Sequence, residues 1–134
     1  MKGNMLSLAL CAVLSIPIAT AGVVDELLSG YQAAGAKDFT ASNGDNLWHK
    51  TFPDPEEAGK TRSCITCHGK DLRAKGKHAR TGKVIEPMAS SVNPERYTDP
   101  KFIEKWFTRN CKWVLDRECT PQEKGDLLTY LRTQ

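Results

Sequence analysis

The sequence predicts a small all-α domain, and three observations support that fold class. Apolar residues recur at helical spacing after residue 23, an Asp-Pro pair at Asp99 opens a second apolar run, and a capping box at Thr120 opens a third helix. No βαβ pattern accompanies these segments, and the 134-residue chain is short enough for one domain. The formal net charge of +3 implies no strong global field.

Residues 1–21 are interpreted as a signal peptide. Lys2 supplies the charged start, residues 5–18 are largely apolar, and residues 19–21 form a small-residue cleavage site, Ala-Thr-Ala. The apolar run is shorter than the roughly 20 residues that a membrane-spanning helix needs. We therefore expect residues 22–134 to form an exported, periplasmic domain with no membrane span, in a compartment where disulfides persist.

The mature N-terminus is predicted to form a helix over residues 23–36. Its apolar positions recur at helical spacing: Val24, Leu27, Leu28 and Tyr31. Gly35 is placed to end this helix. Residues 37–62 are rich in Asp, Asn, Gly, Pro and Lys, which predicts a loop with one short helix over residues 43–48.

The segment Cys64-Ile65-Thr66-Cys67-His68 has the C-x-x-C-H spacing by which c-type haem is attached. Two thiols add across the vinyl groups of one porphyrin edge, and the adjacent imidazole must then reach the iron, which one helical turn allows. A thioredoxin-like pair would not need the histidine, and a zinc site would need a second Cys or His pair nearby. One such motif predicts one haem c, held by Cys64, Cys67 and His68, with His68 as an iron ligand.

Other large groups near this motif are assigned from their surroundings. Trp48 and Phe52 are expected to cover a haem edge. His49 and His78 are alternative iron ligands, but each lies in a polar or basic loop, where histidines are usually solvated.

A basic segment follows the motif. Its cationic residues are Lys70, Arg73, Lys75, Lys77, Arg80 and Lys83. The segment is either a solvated loop or a docking face that steers an acidic redox partner towards the haem edge. It lacks the interleaved aromatic residues of single-strand binders, so nucleic acid is not an expected partner.

The most informative later stretch is a helix that begins with Asp99 as N-cap and Pro100 at the first position. Its apolar face is formed by Phe102, Ile103, Trp106 and Phe107. Asn110 falls in the middle of that face, where an unpaired carboxamide costs about 1–3 kcal/mol. Its partner is either a backbone group near the helix end or the iron, and periodicity does not choose between them.

Cys111 and Cys119 are the remaining cysteines of the mature chain. Two unassigned cysteines close in sequence predict a disulfide in an oxidising compartment. A ring closed at Cys111 would also restrain the neighbouring Asn110. A catalytic redox pair would have closer spacing and an electropositive helix start.

Thr120-Pro121-Gln122-Glu123 is a capping box that opens a final helix ending near Arg132. A short N-terminal helix, a C-x-x-C-H motif and this C-terminal helix resemble the class I cytochrome c fold. That resemblance implies an all-α shell around one covalent haem, with crossing N- and C-terminal helices.

A closer resemblance is carried by several short motifs: Thr81-Gly82-Lys83, Ile85, Pro87, Arg96-Tyr97-Thr98-Asp99, Arg109-Asn110-Cys111, Cys119-Thr120-Pro121 and Glu123-Lys124. They are similar to the SHP group (sphaeroides haem protein) of oxygen-binding cytochromes c, over nearly the whole mature chain. The resemblance implies that Asn110 is the sixth ligand of ferric iron and leaves it on reduction. It also implies a disulfide between Cys111 and Cys119.

The same resemblance implies partners and activity. A small diatomic, oxygen or nitric oxide, would bind at the vacated site, and electrons would come from a dihaem cytochrome c or a membrane b-type cytochrome. Cytochrome c double-prime, a related protein, has histidine at the position of Asn110. The SHP group consists of ligand-binding proteins rather than enzymes, and slow reductase or dioxygenase activity on the bound diatomic would extend that role.

The alternative function is plain electron transfer with Met88 on the iron. Met88 lies only twenty residues after His68, closer than is usual in class I cytochromes, and the SHP pattern has an apolar residue there. A core methionine that fills space is the other interpretation of this residue.

Overall fold

The computed structural model describes residues 22–134, which form five helices and two short antiparallel sheets. The helices are α1 Val23–Ala33, α2 Ala41–His49, α3 Ile65–His68, α4 Pro100–Leu115 and α5 Pro121–Leu131. The strands are β1 Phe52–Pro53, β2 Thr61–Arg62, β3 Gly76–Lys77 and β4 Val84–Ile85. The helical fold class is confirmed, and the predicted signal peptide, residues 1–21, lies outside the described residues.

The helix starts that the sequence predicted are present. The side chain of Asp99 accepts hydrogen bonds from two backbone N–H groups at the start of α4, with Pro100 in the first turn. Thr120 and Glu123 form the complete capping box of α5. α2 is longer than predicted because the Thr40 hydroxyl accepts from the Asn43 N–H at 3.1 Å and caps the helix earlier.

The first helix ends three residues before the predicted limit. The Ala34 N–H donates to the Gly30 carbonyl at 3.0 Å and the Gly35 N–H donates to the Gln32 carbonyl at 2.9 Å, which closes the last turn of α1. Gly35 follows with φ of 97°, in the left-handed region that favours glycine. The helix therefore stops at Ala33, and the chain turns away through Gly35.

The two segments predicted as loops contain short hairpins, which corrects that prediction. β1 pairs with β2, and β3 pairs with β4 through the partners Gly76–Ile85 and Lys77–Val84. Strands of two residues are too short to show the alternation from which a strand is recognised in a sequence.

The core lies between α2, α5 and the segments that follow the haem motif. α2 packs closely on α5, and a Cβ at Gly44 would stand less than 3.0 Å from the Asp126 carbonyl oxygen, so this contact requires glycine. One buried cluster contains Trp48, Leu72, Ala89, Cys111, Cys119, Leu127 and Leu131. A second contains Tyr31, Ile103 and Leu128 and joins the terminal helices to α4. No helix within residues 22–134 is long and apolar enough to cross a bilayer.

Candidate haem site

A cavity of about 500 Å³ opens between the C-x-x-C-H motif, the β3–β4 hairpin, α4 and α5. Its volume lies within the roughly 300–1,000 Å³ of cofactor and ligand pockets. Its walls are mainly apolar, with contributions from Trp48, Phe107, Leu127 and Leu131. A large, flat, mostly apolar cofactor is the kind of group that such walls accommodate.

The motif residues form one wall of this cavity. The N–H groups of Cys67 and His68 donate to the Cys64 carbonyl at 3.3 and 3.2 Å, which closes a helical turn. Cys64, Cys67 and His68 all line the cavity, and neither of these two cysteines is in a disulfide. The predicted helical turn thus brings the two thiols and the imidazole to one side of the cavity.

His68 has the chemical state that iron ligation requires. Burial, together with the positive charge of Arg96, lowers the pKa of His68 to about 4, so its imidazole is neutral at pH 7. The Trp48 ring lies 5.2 Å from the His68 ring, measured between centroids. The indole thus packs beside the imidazole and restricts its orientation. Burial also raises the pKa of the Cys64 thiol to about 12.

The opposite wall is formed by α4. Phe102 and Trp106 keep 42% and 38% of their surface exposed, and both face the cavity rather than the protein core. Ile103 is buried in the cluster that joins α4 to the terminal helices, against which Phe107 also packs. The predicted apolar face of α4 therefore serves two purposes, as part of the core and as a cavity wall.

Asn110 also lies on the cavity wall, and its side chain is exposed. Several side chains form hydrogen bonds along α4, in which the Asp99 and Glu104 carboxylates accept and the Thr108 hydroxyl donates. Within residues 22–134 no hydrogen bond involves the Asn110 carboxamide. The backbone partner that the sequence allowed for this group is thus absent from the described part of the chain. The carboxamide is free to bind a group in the cavity.

The predicted disulfide between Cys111 and Cys119 is present, with 5.5 Å between the Cα atoms. Both residues are buried in the core cluster that also contains Trp48 and Leu127. The bond therefore ties the residue next to Asn110 to the segment that leads into α5.

Met88 reaches the same cavity from a different segment. Its side chain is partly buried and packs on the core. Its N–H donates to the Leu72 carbonyl at 2.9 Å, and its carbonyl accepts from the Tyr97 hydroxyl at 2.7 Å. The structure thus brings both candidates for the sixth ligand, Asn110 and Met88, to the cavity.

The other candidate residues divide between the cavity and the surface. Trp48 and His78 line the cavity, whereas Phe52 and His49 do not. His49 is exposed, and its Nδ1 lies 3.0 Å from a carboxylate oxygen of Asp45. His78 Nδ1 accepts hydrogen bonds from two backbone N–H groups of its own turn. The neutral imidazole therefore carries its proton on Nε2, and this nitrogen then has no lone pair with which to ligate a metal.

Comparison with known proteins places the chain in a family. The sequence matches the domain of unknown function DUF1924 over residues 34–131. It is 45% identical over 131 residues to the cytochrome c-type protein SHP of Cereibacter sphaeroides, and the match covers 95% of this chain and 97% of that protein. This chain belongs to the SHP family of cytochromes c.

Solved structures agree with the family assignment. The structure of oxidized SHP, described as an oxygen binding cytochrome c, superposes with a TM-score of 0.73 at 42% identity, covering 83% of this chain and 96% of that one. Oxidized cytochrome c'' from Methylophilus methylotrophus superposes with a TM-score of 0.72 at 30% identity, covering 84% and 94%. As in these relatives, the cofactor is a single haem c.

Buried polar atoms around the cavity fit the haem that the SHP family carries. Three buried donors without a partner among residues 22–134 belong to residues that line the cavity: Trp48 Nε1, Arg96 Nε and Trp113 Nε1. A haem presents two carboxylates, which are strong acceptors for indole and guanidinium N–H groups. The Cys-Cys-His wall, the apolar interior and these donors therefore suit an SHP-type haem.

Two residues of this SHP-family chain were not predicted from the sequence: Trp113, which lines the cavity, and Arg62, which contacts Trp113 from outside it. The Arg62 guanidinium stacks on the Trp113 ring at 4.6 Å and donates to the Trp113 carbonyl at 3.2 Å. A nearly buried ion pair with Asp54, at 2.6 Å, holds Arg62 in place. Extending the apolar face of α4 by one turn beyond Asn110 would have found Trp113, whereas nothing local indicates the Arg62 contact.

Proposed function

We propose that this protein is an exported cytochrome c with a redox-labile sixth ligand. In this proposal Cys64 and Cys67 attach the haem, His68 ligates the iron in both oxidation states, and Asn110 ligates it only in the ferric state. Reduction frees a position that takes a small diatomic, oxygen or nitric oxide. The observation that carries the proposal is the unpaired Asn110 carboxamide on the cavity wall formed by α4.

The chemistry of the two side chains supports these different roles. A neutral imidazole is a good ligand in both oxidation states, and the lowered pKa of His68 keeps it neutral. A carboxamide oxygen is a hard, neutral donor, which favours ferric over ferrous iron. When bound, the haem supplies an iron that accepts one electron and takes axial ligands.

The backbone around Asn110 supports ligand release by side-chain movement. Asn110 lies inside α4, and the adjacent Cys111 is tied to Cys119. Rotation of the Asn110 side chain needs no change in either restraint. The described oxygen binding of SHP supports the choice of a diatomic as the ligand of this chain.

Export and the electron donor are part of the same proposal. Residues 1–21 would be removed as a signal peptide, and residues 22–134 would function in the periplasm with the terminal helices crossing beside the haem. A buried disulfide between Cys111 and Cys119 supports an oxidising compartment. The electron donor would be a partner cytochrome, of the dihaem c or membrane b type that the family resemblance suggests.

The second candidate function is electron transfer with permanent His68 and Met88 ligation. The position of the Met88 side chain on the cavity wall favours it. Such a protein would stay six-coordinate in both oxidation states and would offer no position to an added ligand.

Absorption spectra of the dithionite-reduced protein, with and without carbon monoxide, separate the two functions. We expect a high-spin ferrous spectrum that shifts on adding carbon monoxide. A low-spin ferrous spectrum that carbon monoxide does not change would refute the ligand-binding proposal.

Two substitutions then identify the sixth ligand. Asn110→Ala should leave the ferric iron high-spin, because it removes the carboxamide and leaves the helix intact. Met88→Leu is the matched control, since it removes the thioether at nearly constant volume and should leave the ferric spectrum unchanged. A change of ferric spin state in the Met88 variant alone would transfer the ligand role to Met88.

A further inference from the structure

The β3–β4 hairpin, residues 76–85, lies directly against the haem-attachment motif. A Cβ at Gly76 would stand less than 3.0 Å from the Cys67 carbonyl oxygen, so only glycine allows this approach. The Ala79 N–H donates to the Cys67 sulfur at 3.4 Å. The hairpin therefore covers the side of the motif on which Cys67 would hold the porphyrin edge.

This hairpin carries cations that have no acidic partner. Lys77, Arg80 and Lys83 are exposed, and within residues 22–134 none of them forms an ion pair. Lys75, just outside the hairpin, shows the contrast because it pairs with Glu86 at 3.0 Å. Three uncompensated positive charges thus project from ten residues of chain.

The charges surround an apolar contact at the cavity mouth. Val84 is 56% exposed, the largest exposed fraction among the large apolar side chains of the described chain. Val84, Arg80 and Lys83 line the mouth of the cavity, whereas Lys77 does not. An apolar centre with a charged rim is typical of protein–protein docking sites.

We propose that the β3–β4 hairpin is the docking surface for an acidic electron-donor protein. The inference rests on the proposed function, because it places electron entry at the haem edge beside Cys67. The donor loses one electron and the ferric protein gains it, and no bond or proton passes between the two proteins. Acidic groups on the donor would pair with Lys77, Arg80 and Lys83.

Electrostatic physics explains why this arrangement would matter. The Debye length is about 8 Å at physiological ionic strength, so neighbouring unpaired charges act on an approaching protein together. A complementary charge pattern raises association rates by about 10- to 1,000-fold, and salt removes that advantage. The rate of reduction by an acidic donor should therefore fall with ionic strength.

The test compares two triple variants of the haem-loaded protein that have the same net charge. The hairpin variant is Lys77→Glu/Arg80→Glu/Lys83→Glu, and the matched control is Lys37→Glu/Lys101→Glu/Lys105→Glu, whose sites are exposed and do not line the cavity. The probe is reduced flavodoxin, an acidic flavin protein, in stopped-flow reduction of the ferric proteins over a range of salt. The hairpin variant should react at least about tenfold more slowly at low salt and lose the salt dependence.

Several results would overturn the proposal. Equal slowing in both variants would show that net charge acts, not the hairpin. A hairpin variant with an altered reduction potential but unchanged salt dependence would show that Arg80 and Lys83 neutralise haem carboxylates instead. Sedimentation with phosphatidylglycerol vesicles that only the hairpin variant loses would assign the surface to a membrane. Failure of the proposed function would appear separately, in the carbon monoxide spectrum of the unmodified protein.

Discussion

The disulfide between Cys111 and Cys119 gives a stability prediction that follows from its position. The bond closes a ring across a sequence separation of eight, and the loop-entropy model assigns such a ring about 2.5 kcal/mol. Both sulfurs are buried, so the pair also contributes apolar contacts to the core. The double variant Cys111→Ala/Cys119→Ala should lose at least this free energy of unfolding, which lowers Tm by about 10 °C for a domain of this size.

Two measurements separate the contribution of ring closure to the free energy of unfolding from the contribution of the lost core contacts. Thermal and denaturant unfolding, followed by circular dichroism, give the total loss for the double alanine variant. Treatment of the unmodified protein with a phosphine reductant, with the haem ferrous in both samples, opens the ring without removing an atom. The reduced protein should lose about 2.5 kcal/mol.

The refuting result is specific. A loss below about 0.5 kcal/mol on reduction would fall within the range of ordinary surface substitutions. It would mean that α4 and the segment before α5 hold Cys111 and Cys119 together without the bond. The restraint that we assign to the backbone beside Asn110 would then come from packing alone.

Two further predictions concern Gly76, which packs against the haem-attachment motif, and Asp54, which pairs with Arg62. Gly76→Ala should destabilise the protein and lower its haem content, because the added Cβ would meet the Cys67 carbonyl. The control is Gly30→Ala in α1, where an added Cβ would have no atom within 4 Å. This variant should be neutral or stabilising by up to about 1 kcal/mol. Unfolding curves and haem absorbance measure both, and equal behaviour of the two variants would contradict the close approach. Burial opposes the charged form of Asp54, but hydrogen bonds from Arg62 and from backbone N–H groups lower its pKa overall. The pair of Asp54 and Arg62 therefore stabilises the fold at pH values above the usual pKa of Asp. This contribution is lost as the pH falls through the lowered pKa. Asp54→Asn should reduce stability at pH 7 and flatten the acid limb of the stability–pH curve, and an unchanged acid limb would contradict the assignment.

Much of the helical framework could be predicted because helix starts are determined by residues that are close together in the sequence. Asp99 and Thr120 satisfy backbone N–H groups within three residues of themselves, so the sequence alone shows both caps. α2 was predicted too short because its cap, Thr40, lies before the apolar residues that mark the helix. The β3–β4 hairpin depends on contact between Gly76 and Cys67, which no local pattern records.

The two walls of the candidate site also differed in how far they could be predicted from the sequence. The Cys64–His68 wall is one helical turn, and its spacing in sequence fixes its geometry. The opposite wall is formed by α4, and it is supported by a contact from a distant part of the chain. Trp113 lies one helical turn beyond Asn110 and could have been found by extending the α4 pattern, whereas Arg62 contacts Trp113 across 51 positions, which no local pattern records.

The walls also differ in how firmly they hold the two candidates for the sixth ligand. The backbone of Met88 is fixed by hydrogen bonds to both its N–H and its carbonyl, and its side chain packs against the core, so its thioether has little freedom to withdraw. The Asn110 backbone is equally fixed, by α4 and the adjacent disulfide, but its side chain is exposed and unpaired. Exposed side chains change rotamer within picoseconds to nanoseconds, whereas backbone rearrangements take far longer. A ligand that must leave on reduction and return on oxidation, without disturbing the fold, is therefore better supplied by Asn110 than by Met88.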